Sequence, residues 1–126
     1  MLKQFGSALE RLKEVLREKK ADIVRDASIQ RFEFTFDIAW KALKETLEEY
    51  YNVRCVSPQK CFREAYKQDL IAFDDFWIEM AKKRNLTVHT YKEQLAEDVY
   101  AILPHAVEKF EELLTNLEKH EKPSQT

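Results

Sequence analysis

Residues 82–92 read Lys82-Lys83-Arg84-Asn85-Leu86-Thr87-Val88-His89-Thr90-Tyr91-Lys92. The stretch holds four formal positive charges and no acid, in a chain whose net charge is −2. An arginine fork can hold a phosphate through two parallel hydrogen bonds. A histidine titrates near neutral pH and can take or give a proton there. Tyr91, two residues further on, could position a phosphate or accept a group. Lys83, Asn85 and Lys92 complete a basic set at an expected helix–loop–helix junction. A loop would let Arg84 and His89 converge, whereas a continuous helix sets residues five apart about 140° from each other. The expectation is therefore a helix break within 84–90, with both side chains partly exposed on one cleft and Tyr91 opening the next helix. The competing reading is a basic turn whose histidine caps a helix.

Other candidates for chemistry are weaker. Glu48 with Glu49, and Glu111 with Glu112, fall on solvated helix faces. His105 and His120 stand alone, and with His89 they are too scattered for a zinc site. No metal and no cofactor is expected. Cys55 and Cys61 form no CxxC pair and read as reduced thiols of a cytoplasmic protein. The single glycine, Gly6, excludes a Walker A loop and a GxGxxG loop. A near-neutral charge balance argues against a protein coated for nucleic acid, but leaves room for a local basic patch. The start is already amphipathic (Leu2-Lys3-Gln4-Phe5), so no signal peptide is expected, and no apolar run is long enough for a membrane.

The elements that must position the basic junction follow from periodicity. Leu2, Phe5, Leu9, Leu12 and Leu16 predict a first helix over about 2–20. Phe32, Phe36, Trp40, Leu43 and Leu47 predict a second over about 25–51, with Trp40 in the core and Asp37 paired to Lys41 one turn on. Ile29, Phe34 and Ile38 add apolar surface off that stripe, as on a helix that is central or packs on a second subunit. Ser57-Pro58 caps a short third helix carrying Cys61, Phe62, Ala65 and Tyr66. Asp74 or Asp75 caps a short fourth with Phe76, Trp77, Met80 and Ala81. Thr90 and Glu93 form a capping box before the last helix. There Tyr91, Leu95, Val99, Ile102, Ala106, Phe110, Leu113 and Leu117 stay in phase across Pro104, predicting a kink and not an end. The sum is an all-α up-and-down bundle of about five helices, three long and two short. It forms one domain over 1–120, with a disordered polar tail at 121–126.

Two segments carry a family resemblance. Residues 30–44, Gln30-Arg31-Phe32-Glu33-Phe34-Thr35-Phe36-Asp37-Ile38-Ala39-Trp40-Lys41-Ala42-Leu43-Lys44, resemble the second-helix signature of nucleotidyltransferase substrate-binding proteins. Arg84-Asn85-Leu86-Thr87-Val88-His89-Thr90-Tyr91 resembles the R-N-x-x-x-H-x-Y motif of the wider HEPN superfamily. Ser57-Pro58, Arg63-Glu64-Ala65 and Trp77 also match. The resemblance implies an HEPN-like five-helix bundle that forms a homodimer. Its partner would be a minimal nucleotidyltransferase encoded next door. Nucleotidyl transfer needs a glycine–serine loop working with a paired D-x-D; this chain has no D-x-D, so that chemistry belongs to the partner. The resemblance also implies a second reading, a metal-independent ribonuclease toxin. His89 would then be the general base at a ribose 2′-OH and Arg84 would steady the pentavalent phosphate. Asn85 matches the polar residue that often follows the arginine. In some toxin–antitoxin pairs the partner adenylylates the tyrosine matching Tyr91. The first reading, a dimer that docks the nucleotidyltransferase and offers a basic Arg-His-Tyr cleft to nucleotide or RNA phosphate, is favoured by the second-helix signature.

Overall fold

A computed structural model describes residues 1–72, 74–89 and 92–121. Five α-helices follow in chain order: α1 Leu2–Leu16, α2 Asp22–Tyr51, α3 Pro58–Lys67, α4 Phe76–His89 and α5 Glu93–Glu121. No strand occurs among the described residues, and the all-α bundle of three long and two shorter helices is what the periodicity predicts. The expected capping box at Thr90 and the tail beyond Glu121 lie outside the described residues.

α1 is shorter than expected: it ends at Leu16, where the amides of Arg17 and Glu18 turn back onto the carbonyls of Glu14 and Val15. α2 starts three residues earlier than predicted and closes on Asn52, whose φ of 55° is a left-handed cap that asparagine tolerates. The Ser57 hydroxyl accepts a hydrogen bond from the Lys60 amide at 3.3 Å, so the Ser-Pro start of α3 stands as read. α3 stops in a Schellman turn. Asp69 has φ 59°, the Leu70 amide donates to the Ala65 carbonyl and the Asp69 amide to that of Tyr66. Asp74, not Asp75, caps α4 by accepting from the Phe76 amide at 2.9 Å. α5 runs through Pro104 without ending.

α1, α2 and α5 pack against one another, and α3 and α4 lie across α2. Every helix sends an aromatic ring into one cluster. Phe5 (α1) meets Phe110 (α5) edge-on at 6.1 Å, and Phe110 meets Phe32 (α2) at 6.2 Å and Trp77 (α4) at 5.9 Å. Phe62 (α3) stacks on Trp77 at 4.6 Å and touches Phe36 at 5.7 Å. Trp40 is only half-buried, contrary to the expectation. On α2 the inward positions are Phe32, Phe36, Ala39, Leu43 and Leu47, and Trp40 stands about 100° off Ala39.

Cys55 and Cys61 are joined in a disulfide, not held as reduced thiols. The connection after α2 folds back on the first turn of α3, which brings the two Cα atoms to 5.2 Å. Both residues are buried, and poor access slows thiolate attack on either sulfur. Loop-closure entropy for so short a ring is worth about 2 kcal/mol. Urea unfolding with and without a reductant should differ by that amount.

The start of α4 is tied to α5 by charge. Asp74 meets Lys109 at 2.6 Å while capping Phe76. The Lys109 ammonium and the Phe76 amide hold the Asp74 carboxyl below its ordinary range, and Asp74 in turn raises Lys109. A depressed carboxylate stabilises the fold in full above its unfolded value of about 4, and that contribution is lost as pH falls through the lower folded value. Acid titration of the thermal midpoint should therefore fall more steeply below pH ~4 for the wild type than for Asp74→Asn.

Candidate functional site

Trp77, Met80 and Ala81 turn one face of α4 into the core. Steps of three and four continue that face to Arg84 and Thr87, which are polar and meet α2 at its surface. The Arg84 guanidinium donates to the Asp37 carboxylate, and a second nitrogen donates to Asn85 Oδ1 at 3.1 Å. The Thr87 hydroxyl donates to Glu33. Asp37 and Glu33 are four apart, so one face of α2 supplies both acceptors. Asp37 thus serves Arg84, where the sequence suggested Lys41. The Arg84 Nε–H is buried and has no acceptor.

α4 stays helical through His89, so Arg84 and His89 sit on one helix, five residues apart. No break falls between Arg84 and His89, contrary to the expectation, so the two side chains do not converge within one chain. They leave the axis about 140° apart. Arg84 keeps 26% of its side-chain surface and His89 is exposed. Lys83 lies 3.8 Å from Glu79, and Asn85 is exposed. Tyr91 lies outside the described residues. Lys92 is exposed ahead of α5 and lines a recess of about 520 Å³ with Asp26, Glu33 and Thr87.

A group that sequence reasoning missed holds α5 against α2 beside that recess. Arg25 is 1% exposed and donates to Glu93 at 2.8 and 3.1 Å, to Glu97 at 2.8 Å and to Asp26 at 3.1 Å. Its hydrogen bonds to Glu93 and Glu97 push its pKa further up, and the hydrogen bonds that Glu97 accepts from Lys20 and Arg25 draw that of Glu97 down. Spacing gave no signal for it, because its partners lie about seventy residues away on another helix.

The remaining histidines have structural partners. His105 faces Glu108 at 3.2 Å and Phe76 edge-on at 4.2 Å; His120 shares a hydrogen bond with the Tyr51 hydroxyl at 2.8 Å. Among the described residues no cluster of His, Cys, Asp or Glu could hold a metal ion, and no helix is long and apolar enough to cross a membrane. Gly6 and Ser7 lie inside α1, not on a loop. Large apolar side chains are exposed within the motif and on α2: Leu86 and Val88 are 51% and 50% exposed, and Phe34, which lines a recess with Asp37 and residues of α1, is 58% exposed.

Comparison with known proteins gives consistent results. A Thermus thermophilus protein of known structure is 37% identical, with a TM-score of 0.85 over 90% of this chain and 98% of its own. A Haemophilus influenzae structure, described as revealing the fold of a substrate binding domain of a nucleotidyltransferase, shares the fold. It has a TM-score of 0.80 at 23% identity, covering 94% of this chain and 99% of that one. A Haemophilus influenzae relative named probable ribonuclease HepT is 29% identical over 92 residues, which is 67% of this chain and 63% of that relative's length. The family described as nucleotidyltransferase substrate binding protein like matches residues 1–119, and the chain belongs to that family.

Proposed function

We propose that the protein is the substrate-binding half of a two-component nucleotidyltransferase. In this reading residues 1–120 form one cytoplasmic domain that dimerises and docks a minimal nucleotidyltransferase. The basic end of α4 then receives the phosphate of a nucleotide or RNA. Arg84 supplies the anchoring cation, Asn85, Lys83 and Lys92 add polar and positive groups, and His89 offers a further polar contact; Tyr91 enters only through the sequence motif. The carrying observation is the state of the Arg84–His89 pair. Arg84 is already engaged by Asp37, and His89 leaves the helix in another direction. One chain alone therefore presents an anion-binding arginine, not an assembled acid–base couple. The exposed apolar residues Phe34 on α2 and Leu86 and Val88 at the end of α4 support contact with a second copy.

The name of the HepT relative favours a second reading, a metal-independent ribonuclease held inactive by its partner. A two-fold dimer would then bring two Arg84–His89 sets into one cleft. Expression without the partner separates the readings. Unaffected growth supports the binding subunit; growth arrest that His89→Ala relieves supports the ribonuclease.

A further inference from the structure

Asp37 has a lysine of its own helix, Lys41, one turn on, yet it pairs across to Arg84 of α4. One turn back along α2, Glu33 accepts from the Thr87 hydroxyl. Two carboxylates of α2 thus hold the end of α4 at two points.

The form of the Asp37–Arg84 contact does not suit an ion pair kept for stability. The strongest carboxylate–arginine pairs use two parallel N–H groups. Asp37 takes one, on Nη2, and the neighbouring Nε–H is buried with no acceptor. A buried N–H left unpaired costs the fold free energy. The two side chains keep 26% and 32% of their surface, so solvent screens their attraction. What the contact does fix is a direction. A free arginine on a helix samples many rotamers, and ordering them on binding costs affinity. Asp37 has already ordered this one.

The donors left over match the ligand of the candidate site. A guanidinium carries five N–H groups. Asp37 takes one on Nη2, Asn85 Oδ1 takes one on Nη1, and the Nε–H is sealed. One N–H remains on each terminal nitrogen, and two oxygens of a single phosphate accept such a pair.

We infer that Asp37 is the positioning residue of the candidate site, holding the Arg84 guanidinium so that its two remaining terminal donors meet the phosphate. The inference rests on the reading of Arg84 as the phosphate anchor. In this role Asp37 touches no phosphate and acts through Arg84. Its charge works against the ligand, because a carboxylate repels an anion beside it. Position and charge therefore make opposite predictions for its removal.

The test is calorimetric titration of adenosine 5′-monophosphate into the full-length protein and its Asp37→Ala and Asp37→Asn variants. Charge alone would make both variants bind more tightly. Positioning predicts binding about three- to tenfold weaker in Asp37→Ala, the cost of ordering one long side chain. Asp37→Asn keeps an acceptor oxygen and should fall between Asp37→Ala and the wild type. In the Arg84→Ala background, Asp37→Ala should weaken binding no further. Hydrogen exchange at the Arg84 Nε–H, followed by NMR, reads the ordering itself. It should be slow in the wild type and about tenfold faster or more in Asp37→Ala, while the melting temperature moves by only a few degrees. Tighter binding in either variant, unchanged binding in Asp37→Ala, or unchanged Nε–H exchange would overturn the inference. So would a further loss in the Arg84→Ala background. Wild-type affinity in Arg84→Ala is a separate result: it removes Arg84 as the anchor, and the inference with it.

Discussion

Trp77→Ala should lower the unfolding free energy by about 3–5 kcal/mol, the usual cost of deleting a buried aromatic. Trp77 is 1% exposed and stacks on Phe62 while meeting Phe110, so its ring joins α3, α4 and α5. Removing it leaves a cavity where both short helices meet α5. For a chain of this size the melting temperature should drop by about 10–20 °C. Trp40→Ala should cost clearly less, because Trp40 is half-buried at the edge of the core. Differential scanning calorimetry of the two variants checks the ranking; equal losses would mean that the aromatic cluster is not the keystone of the bundle.

The contrast between these tryptophans shows what the sequence could and could not say. The helices were legible because apolar residues recur at three and four, and because Ser57-Pro58 and Asp74 carry their own capping chemistry. α2 is apolar on more than one side, so its pattern alone did not decide whether Trp40 or Ala39 points inward. α4 was read too short because its apolar stripe stops at Ala81. The stripe continues through Arg84 and Thr87, which are satisfied by Asp37 and Glu33 on a distant helix. The Cys55–Cys61 bridge was hidden for a similar reason. Two cysteines six apart meet only if the chain folds back between them, and that depends on where α2 ends. For the candidate site the residue types were legible, whereas their relative directions were not.

Arg84→Ala and His89→Ala should have the largest functional effects. Hydrogen bonds to charged groups contribute about 1.5–3 kcal/mol, so loss of the Arg84 guanidinium should weaken binding of nucleotide or RNA phosphate about ten- to hundredfold. His89→Ala should weaken phosphate binding severalfold if His89 is only a polar contact, and abolish cleavage if the protein is a ribonuclease. Stability should separate the two only slightly. His89 is exposed and makes no core contact, so its removal should stay within about 0.5 kcal/mol. Arg84→Ala also releases Asp37, but this pair is partly solvated and worth no more than about 1 kcal/mol. Calorimetric titration with a labelled nucleotide, paired with thermal melts, reads both effects. Full activity of the His89→Ala protein with its partner would remove His89 from the site.

The central claim is that this chain is one half of a two-component nucleotidyltransferase. Sedimentation velocity tests it most directly, with the protein alone and mixed with the minimal nucleotidyltransferase proposed as its partner. Alone, the chain should sediment as a homodimer, held by an interface of roughly 1,200 Å² or more in total. The mixture should give one heavier species that contains both chains. A monomer at micromolar concentration, together with two proteins that sediment independently, would contradict the account.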